Sequence, residues 1–454
     1  MSTKTQFGSK IGLVAATVGS AVGLGNIWRF PAEAQANGGA AFLMVYVACV
    51  FILGIPVMLS EFALGRAGRS DAVGSLKNIG ARRPWWAVGA LGVLASYLIL
   101  SFYMVVAGWT LEYLIQSVTG HLFEPVDGVE GLNGTFSAHM DEFIKSTWNP
   151  LLNTFLMIAI NIGVLIMGVQ KGIERMSNIL MPLLFVLLLI FCAVSLSLPG
   201  AGVGLEFFFK PDFSKIDAGV ALNALGQAFF SLSLGMGILI TYSSYFPRDT
   251  RLGRTAVTVS VLDLLVAVLM GVIIFPAVTT FDLAGDGLLG PTLVFVTLPE
   301  VFSMMPGTQF WSILFFLLLL VAALTSTISL GEVSILFLQD RFKLSRVKAV
   351  LAVMLPLLVL SAVCSLSQGA LSGVRLGGMI VFDFLDTVAT NIMLPVGSLA
   401  LCVYMGWFAP KGLFRREITN GGRVGRGVFA LVDFLIKYVA PVLILLVLVS
   451  GIVK

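Results

Sequence analysis

Apolar runs recur along the whole sequence, and this feature constrains the fold more than any other. Each run is about 20 residues or more, the length that an α-helix needs to cross roughly 30 Å of hydrocarbon. Only 11% of the 454 residues are charged and 58% are hydrophobic, whereas water-soluble domains carry about 25% charge. We predict an all-α integral membrane protein with eleven transmembrane helices, near residues 10-37, 41-65, 86-118, 152-170, 176-198, 219-246, 256-279, 309-338, 347-366, 378-407 and 430-452.

Lysine and arginine are unevenly distributed between the segments that connect these runs. They concentrate after every second run, as with Arg66, Arg254 and Lys348, whereas the segments 120-150 and 280-308 contain only Lys145. Because basic residues are retained on the cytoplasmic side, we predict a cytoplasmic N-terminus and an extracellular C-terminus. The net charge of +4 then reflects the basic residues that fix the orientation of the chain in the membrane. The expected surroundings are a lipid bilayer, with no nucleic acid and no obligate protein partner.

Two of the apolar runs are interrupted by residues that break helices. The first contains "VGSAVGLGNIWRFP", with Gly19, Gly23 and Gly25, and the sixth contains "FFSLSLGMGILITYSSYFP". Glycine in membrane helices also serves close packing, but corresponding interruptions in oppositely directed helices are typical of an inverted repeat. We predict one transporter domain, 1-454, with five-helix repeats at 10-198 and 219-407 and an additional helix at 430-452.

Polar side chains at mid-membrane depth indicate a cation site. Asn26, Ser231, Asp263, Thr325 and Ser326 supply hard oxygen ligands. A carboxylate at a helix centre costs about 2.5–3.5 kcal/mol on the insertion scale, and no Lys or Arg lies mid-span near Asp263. Asp263 is therefore expected to meet a metal cation or a proton. A broken helix also offers N–H groups to a carboxylate and carbonyls to a cation, which suits a zwitterion bound with sodium.

Enzymatic chemistry finds no support in the sequence. Both histidines, His121 and His139, lie in the predicted outer segment 120-150, and the spans lack metalloprotease, nucleophile-elbow and phosphate-loop motifs. We expect a protein that is not an enzyme and that draws its energy from an ion gradient.

The sequence resembles the neurotransmitter:sodium symporter family, the LeuT-like amino-acid transporters. The resemblance covers about residues 5-407 and rests on "GSAVGLGNIWRFP" with "NGGAAF", "PVMLSEFALGR", "FYMVVAGW", "GQAFFSLSLGMG", "LTSTISLGEV" and "FDFLDTVATN". It implies the LeuT-like fold, a 5+5 inverted repeat with broken helices 1 and 6, and two co-transported Na⁺ ions.

The resemblance implies roles for individual residues. It implies a first sodium site at Ala21, Asn26, Ser231 and Asp263, and a second at Gly19, Val22, Ala322, Thr325 and Ser326. The substrate is expected at Gly23, Leu24, Gly25, Ile99, Tyr103, Phe230, Ser231, Met236, Ser326 and Leu330. The resemblance implies an outer gate of Arg29 and Asp386 with Gln227 and Phe230, and an inner gate of Lys4 and Asp340.

Three departures from other family members refine this expectation. Asp263 stands where relatives have asparagine, and a built-in carboxylate removes the need for chloride, so we predict chloride independence. Gly23 stands where monoamine transporters have aspartate, which favours a substrate with its own carboxylate. Gly172 and Pro182, by contrast, keep the family's spacing, at which the cytoplasmic end of helix 5 could unwind. The family's twelfth helix is missing.

Within the family, the chain is similar to bacterial transporters of several hydrophobic amino acids. The expected function is sodium-coupled, chloride-independent import of hydrophobic L-amino acids such as leucine or tryptophan by alternating access, across the plasma membrane of a bacterium. Two alternatives stay open: a proton-coupled carrier in which Asp263 titrates, and an amino-acid-sensing receptor on a transporter scaffold.

Overall fold

The chain forms a bundle of long apolar helices. The computed structural model describes residues 6–79, 84–126, 131–282, 290–422 and 426–453. In these residues, nine helices are long and apolar enough to cross a membrane on their own. They are helix 2 (Ala40–Gly68), helix 3 (Trp86–Thr119), helix 4 (Trp148–Ile166), helix 5 (Val169–Leu196), helix 7 (Leu252–Thr280), helix 8 (Thr308–Phe342), helix 9 (Arg346–Leu366), helix 10 (Val381–Phe408) and helix 11 (Phe429–Gly451).

Two further spans are interrupted. Helix 1 consists of helix 1a (Lys10–Ala21) and helix 1b (Gly25–Ala36), which are bent by 54°. Helix 6 consists of helix 6a (Ala218–Ser231) and helix 6b (Ile238–Ser244). Nine continuous helices and the bent helix 1 are thus long and apolar enough to span a membrane. The two halves of helix 6 lie at the remaining predicted position, and both predicted interruptions are present. The boundaries of the two predicted repeats stay a prediction.

Shorter elements lie between the spans. They are the helices Ala72–Asn78, Leu132–Lys145, Ala201–Phe209, Leu298–Ser303 and Leu413–Ile418, and an antiparallel strand pair, β1 (Arg375–Leu376) and β2 (Met379–Ile380). Within the described residues, all other regular secondary structure is helical. Hydropathy does not indicate these elements, because they are too short or too polar to span a membrane.

Burial distinguishes central from peripheral helices. The most apolar window of helix 8 is 72% buried, whereas that of helix 11 is 22% buried. Helix 8 packs along helix 3, and helix 1a lies against helices 5, 7 and 8. Apolar side chains such as Leu189 (58% exposed) and Val359 (68% exposed) point outward, as expected of a lipid-facing surface. The interrupted helix 1 is therefore held by the inner helices.

The boundary between helices 4 and 5 differs from its prediction. The sequence places helix 4 at 152-170 and helix 5 at 176-198, but helix 4 ends at Ile166 and helix 5 begins at Val169. Gly168 adopts φ +80° between them, a conformation that glycine reaches at little cost. The polar residues of the π-helical turn Val169–Glu174 are thus part of helix 5 rather than of a connecting loop.

Candidate substrate and ion site

A cavity lies where the interrupted parts of helices 1 and 6 face helices 3 and 8. Nine of the ten residues that the sequence assigns to the substrate line it, and their role in binding stays a prediction. The tenth, Leu24, donates its backbone N–H to the Tyr103 hydroxyl at 2.9 Å. The cavity is lined by Ser20, Ala21, Gly23, Gly25, Ile99, Tyr103, Phe230, Ser231, Ser233, Met236, Ile238, Ser326 and Leu330.

Bare backbone forms one wall of this cavity. A Cβ atom at Gly23 would lie 2.6 Å from Ser326 Oγ and 2.8 Å from the Tyr103 hydroxyl, and one at Gly25 would lie 2.7 Å from the Phe230 ring. Real side chains do not tolerate such distances, so any larger residue would displace these groups. Glycine at these two positions therefore lets helix 1 approach helices 3, 6 and 8 without displacing the side chains of Ser326, Tyr103 and Phe230.

Asp263 is the centre of a buried polar cluster next to the cavity. Its Oδ1 accepts a hydrogen bond from Asn26 Nδ2 at 2.9 Å, and its Oδ2 accepts one from Ser231 Oγ at 2.7 Å. Ser231 Oγ also accepts from Asn26 Nδ2 at 3.0 Å. Asn26, Ser231 and Asp263 are all at most 1% exposed. The structure thus brings together three of the four residues assigned to the first sodium ion, and Ala21 lines the adjoining cavity.

This cluster contains more oxygen acceptors than donors. Three oxygen atoms lie within 3.2 Å of Asn26 Nδ2, which has two hydrogens to donate. No Lys or Arg in the described residues forms an ion pair with Asp263. One carboxylate among neutral oxygens suits a hard monovalent or divalent cation. The described residues contain no group of three His, Cys, Asp or Glu side chains that could hold a metal.

The break in helix 1 redirects backbone donors next to the second set of predicted sodium ligands. Gly23 N donates to Asn26 Oδ1 at 3.3 Å instead of to the carbonyl of Gly19, and Asn26 N donates to Gly23 O at 3.2 Å instead of to Val22 O. The carbonyls of Gly19 and Val22 thereby lose their regular helical donors. Helix 8 lies close to the Gly19 backbone. A Cβ atom added to Gly19 would be 3.3 Å from the Cβ atom of Thr325 in helix 8.

The Thr325 hydroxyl of helix 8 has an ordinary helical partner. Thr325 Oγ1 donates to the Ala322 carbonyl at 3.0 Å, and Ser326 lines the cavity. Such bonds to the preceding turn are common in membrane helices, and they leave the oxygen lone pairs available to a cation. The second sodium site stays a prediction.

On the predicted extracellular side, Phe230 separates two cavities. It lines the central cavity and also a second one that includes Arg29, Glu33 and Asn391. The Arg29 guanidinium lies 4.8 Å from the centroid of the Phe230 ring, and Gln227 Nε2 donates to the Gly25 carbonyl at 3.1 Å. The described residues show no ion pair between Arg29 and Asp386 within 4.0 Å, so in this conformation Arg29 packs on Phe230 instead.

The predicted inner gate lies partly outside the described residues. Lys4 precedes them, so its pairing with Asp340 stays a prediction. Asp340 Oδ2 accepts hydrogen bonds from Ser70 Oγ at 2.8 Å and from Asp71 N at 2.9 Å. These bonds tie the end of helix 8 to the segment that follows helix 2. Burial raises the pKa of the Asp71 carboxyl there.

Helix 5 is wound throughout in this conformation. Gly172 lies in its first, π-helical turn and Pro182 lies inside the helix. The proposed unwinding between these residues is therefore not visible in this conformation and stays a prediction. A π-helical turn is a local irregularity of the kind frequently found at functional sites.

Four residues of the site were not assigned from the sequence. Ser20, Ser233 and Ile238 line the cavity, and the Tyr46 hydroxyl lies 3.2 Å from Ser231 Oγ and 3.4 Å from Asp263 Oδ2. Tyr46 is fully buried. A polar hydroxyl within the apolar run of helix 2 is the signal that marks Tyr46 as a candidate, because buried tyrosine hydroxyls need a partner.

Comparison with known proteins supports the same interpretation. The family described as "Sodium:neurotransmitter symporter family" matches residues 4–125 and 135–454. An uncharacterised sodium-dependent transporter, YhdH of Bacillus subtilis, is 35% identical over 446 residues, which covers 98% of this chain and 97% of the relative. The sodium-dependent serotonin transporter of Drosophila melanogaster is 27% identical, with 99% of this chain and 76% of the relative covered.

A solved structure also matches across the chain. The crystal structure of MhsT in complex with L-phenylalanine shares 41% sequence identity with this protein. The alignment covers 99% of this chain and 100% of MhsT, with a TM-score of 0.89.

Proposed function

Because this chain belongs to the sodium:neurotransmitter symporter family and is a sodium-dependent membrane transporter rather than an enzyme, we propose that it imports hydrophobic L-amino acids with Na⁺ by alternating access. One observation carries the proposal. Ser231 belongs both to the wall of the cavity and to the buried Asp263 cluster. A cation bound at Asp263 and a zwitterion bound in the cavity therefore share a side chain, which is a physical basis for coupled binding.

The shape and chemistry of the cavity support an amino acid with an apolar side chain. Ile99, Met236, Ile238 and Leu330 form apolar walls, and flexible methionine adapts to side chains of different size. Hydroxyls and backbone groups lie at the Gly23 side, where a carboxylate would be bound. The structural relative MhsT was crystallised with L-phenylalanine, which is a substrate of the proposed class.

The proposal includes two Na⁺ ions, one at each of the two groups of oxygens. The first would be bound by Asp263 with Asn26, Ser231 and the carbonyl of Ala21. The second would be bound by carbonyls of Gly19, Val22 and Ala322 with the hydroxyls of Thr325 and Ser326. Both groups adjoin the break in helix 1, so binding of either ion would favour the arrangement of helices that forms the cavity.

We also propose that transport does not depend on chloride, and the same cluster supports this. When ionised, the Asp263 carboxylate would neutralise one bound cation, and the hydroxyls of Tyr46 and Ser231 lie 3.4 Å and 2.7 Å from its Oδ2 atom. Those donors would otherwise be suited to a bound anion. We propose that the carboxylate takes the place of chloride in charge balance.

The proposed location is the plasma membrane of a bacterium, with the N-terminus in the cytoplasm and the C-terminus outside. In this orientation each inward sodium ion gains about 2.3 kcal/mol per 100 mV of membrane potential. The bilayer is the only partner proposed besides the substrate and its ions.

A competition panel tests the proposed substrate class. Purified protein in liposomes would take up labelled leucine under an inward sodium gradient in the presence of each of the twenty unlabelled amino acids. Aliphatic and aromatic L-amino acids should inhibit uptake strongly, because they fill the apolar part of the cavity. Aspartate, glutamate, lysine and arginine should not inhibit, because a buried charge without a partner is costly.

The same panel distinguishes substrate class from sodium coupling. If charged amino acids inhibited strongly while uptake still depended on sodium, the hydrophobic specificity would be contradicted but the sodium coupling would not. Unlabelled D-leucine serves as a control for stereospecificity, since it has the same apolar surface as L-leucine.

A further inference from the structure

The short helix Leu413–Ile418 connects the ends of two membrane spans. It follows helix 10, which ends at Phe408, and precedes helix 11, which begins at Phe429. Trp407 and Phe408 are 57% and 48% exposed, and exposed aromatic side chains at the end of a span are typical of the membrane–water interface. This connecting helix therefore begins close to the interface, at the depth expected of lipid headgroups.

One side of the connecting helix is packed against the protein. Phe414 and Ile418 are 5% and 4% exposed, and the Phe414 ring lies 6.0 Å from that of Phe429 in a T-shaped arrangement. Residues four apart lie on the same side of a helix. The apolar side of the connecting helix therefore faces the protein, and the opposite side faces outward.

A buried arginine fixes the connecting helix in this orientation. The Arg66 guanidinium donates to the side chain and to the backbone carbonyl of Glu417, and to Asn420 Oδ1 at 3.0 Å. Arg66 lies in the last turn of helix 2 and also donates to the Thr250 carbonyl, which precedes helix 7. Charge-assisted hydrogen bonds of this kind are the stronger ones. Glu417, the only acidic residue in the segment 409–422, is thus engaged by helix 2.

The outward side of the connecting helix is positively charged. Lys411, Arg415 and Arg416 are all exposed, and we call these three residues the basic face. Among the residues that the structure describes, no ion pair within 4.0 Å includes any of them. Because Arg66 engages the nearby Glu417 carboxylate, the basic face complements a negatively charged surface.

An apolar surface lies next to the basic face in the chain. Trp407 of helix 10 and Tyr438 of helix 11 are both more than half exposed, with ring centroids 5.5 Å apart. Lys411 follows this aromatic pair within one or two turns of chain. Cations beside exposed aromatic rings at the end of a span suit an amphiphile, whose headgroup is anionic and whose chains are apolar.

We propose that the basic face binds the phosphate groups of anionic phospholipids of the cytoplasmic leaflet, whose acyl chains lie against helices 10 and 11. The proposal uses the proposed orientation, in which these helix ends face the cytoplasm. The planar guanidinium groups of Arg415 and Arg416 match phosphate oxygens, and Lys411 adds a further charge. The lipid is a partner of the outer surface of the protein and is not its cargo.

The double substitution Arg415→Gln with Arg416→Gln tests the proposal. It removes two charges from exposed side chains and keeps them polar, so the protein should fold, which its melting temperature would show. Native mass spectrometry of the purified protein, titrated with short-chain phosphatidylglycerol in detergent, measures the Kd of the lipid. We expect this Kd to rise roughly ten- to thirtyfold, because each basic residue near an anionic lipid strengthens its binding.

Two further variants show whether the position of the charges matters. Lys343→Gln with Lys348→Gln removes the same charge from exposed residues in the connection between helices 8 and 9, and the Kd of phosphatidylglycerol should not change. Arg415→Lys with Arg416→Lys keeps the charge of the basic face. Its Kd should stay within about threefold of that of the unmodified protein, since lysine binds phosphate as a point charge.

Four results would overturn the proposal. The first is an unchanged Kd when Arg415 and Arg416 are replaced by glutamine. The second is an equal increase in the lysine control, which would indicate attraction by overall charge. The third is equal affinity for zwitterionic phosphatidylcholine of the same chain length, and the fourth is displacement of the lipid by an equal concentration of inorganic phosphate. The titration contains neither leucine nor a sodium gradient, so a failure of sodium-coupled import would not affect it.

Discussion

A buried carboxylate without a basic partner determines the chemistry of the central site. Asp263 is fully buried and is hydrogen-bonded to Asn26 and Ser231. Hydrogen bonds from neutral groups lower the cost of a buried charge but do not neutralise it. A bound cation would do so, which makes Asp263 the residue whose substitution is most informative.

Asp263→Asn should lower sodium affinity. The amide keeps the size of the side chain but removes the negative charge, and interactions of charged groups of this kind are worth about 1.5–3 kcal/mol. We expect the half-saturating sodium concentration for leucine uptake to rise roughly ten- to a hundredfold. Chloride should then stimulate uptake, which sodium titrations in chloride and in gluconate would show.

Asp141→Asn is the control for this experiment. Asp141 pairs with Lys145 on the helix Leu132–Lys145, and its side chain is 67% exposed, so its charge should not affect sodium affinity. Loss of pH dependence in Asp263→Asn, with sodium affinity unchanged, would instead indicate the proton-coupled carrier.

Sequence motifs predicted most of the residues that line the cavity, but not all. Asn26, Ser231 and Asp263 are far apart in the chain, yet their side chains meet. Their shared mid-membrane depth indicated a cation site, and the family resemblance assigned these three residues to one sodium ion. Tyr46 and Ser233 were not assigned, because their contacts depend on which face of one helix packs against another and on the conformation of an unwound segment.

Helix 5 is connected to the beginning of helix 1 by one carboxylate. Glu174, the last residue of the π-helical turn of helix 5, accepts hydrogen bonds from Gly8 N at 2.8 Å, Ser9 N at 2.9 Å and Ser9 Oγ at 2.8 Å. It is 6% exposed. A negative charge at a helix N-terminus is favourable. Unwinding of helix 5 at Gly172 would move Glu174 and release helix 1a.

Glu174→Ala should therefore loosen the start of helix 1. Removing these bonds leaves the amides of Gly8 and Ser9 without their side-chain acceptor, and hydrogen bonds to charged groups are worth about 1.5–3 kcal/mol each. We expect hydrogen–deuterium exchange in the peptide that contains residues 8–13 to become roughly tenfold faster or more. Mass spectrometry of the exchanged protein measures this directly.

Glu206→Ala is the control variant for the hydrogen–deuterium exchange measured at the start of helix 1. Glu206 is exposed and pairs with Lys210, the residue that follows the helix Ala201–Phe209. Exchange at residues 8–13 should not change when Glu206 is replaced. If Glu174→Ala also left that exchange unchanged, Glu174 would not hold helix 1a.

The membrane-spanning elements were predicted more successfully than the connections. The breaks in helices 1 and 6 follow from glycine clusters within apolar runs, and both are present. Helix 5 starts earlier than predicted, because Gly168 turns the chain within two residues of Ile166. The helix Leu132–Lys145 was not predicted, because hydropathy does not report helices that lie outside the membrane.

At the scale of the whole molecule, this sodium-dependent transporter holds a buried carboxylate, Asp263, that forms no ion pair with Lys or Arg among the described residues. Two inward Na⁺ ions, each gaining about 2.3 kcal/mol per 100 mV and about 1.4 kcal/mol from a tenfold gradient, would support roughly a 10⁵-fold accumulation of a neutral amino acid. This estimate requires that neither ion crosses without the substrate.

Two glycine variants test whether transport depends on the central cavity. A Cβ atom at Gly23 would collide with Ser326 and Tyr103, whereas one at Gly163 in helix 4 would meet no atom within 4 Å. Liposomes with Gly163→Ala should accumulate leucine as the unmodified protein does. Those with Gly23→Ala should not, although the variant inserts and folds.

Uptake of labelled leucine by liposomes that contain the purified protein tests sodium-coupled import most directly. With sodium outside and a negative interior, leucine should accumulate well above equilibrium, and replacement of external sodium by choline should reduce uptake to that of protein-free liposomes. Accumulation that is equally large in choline would contradict sodium coupling.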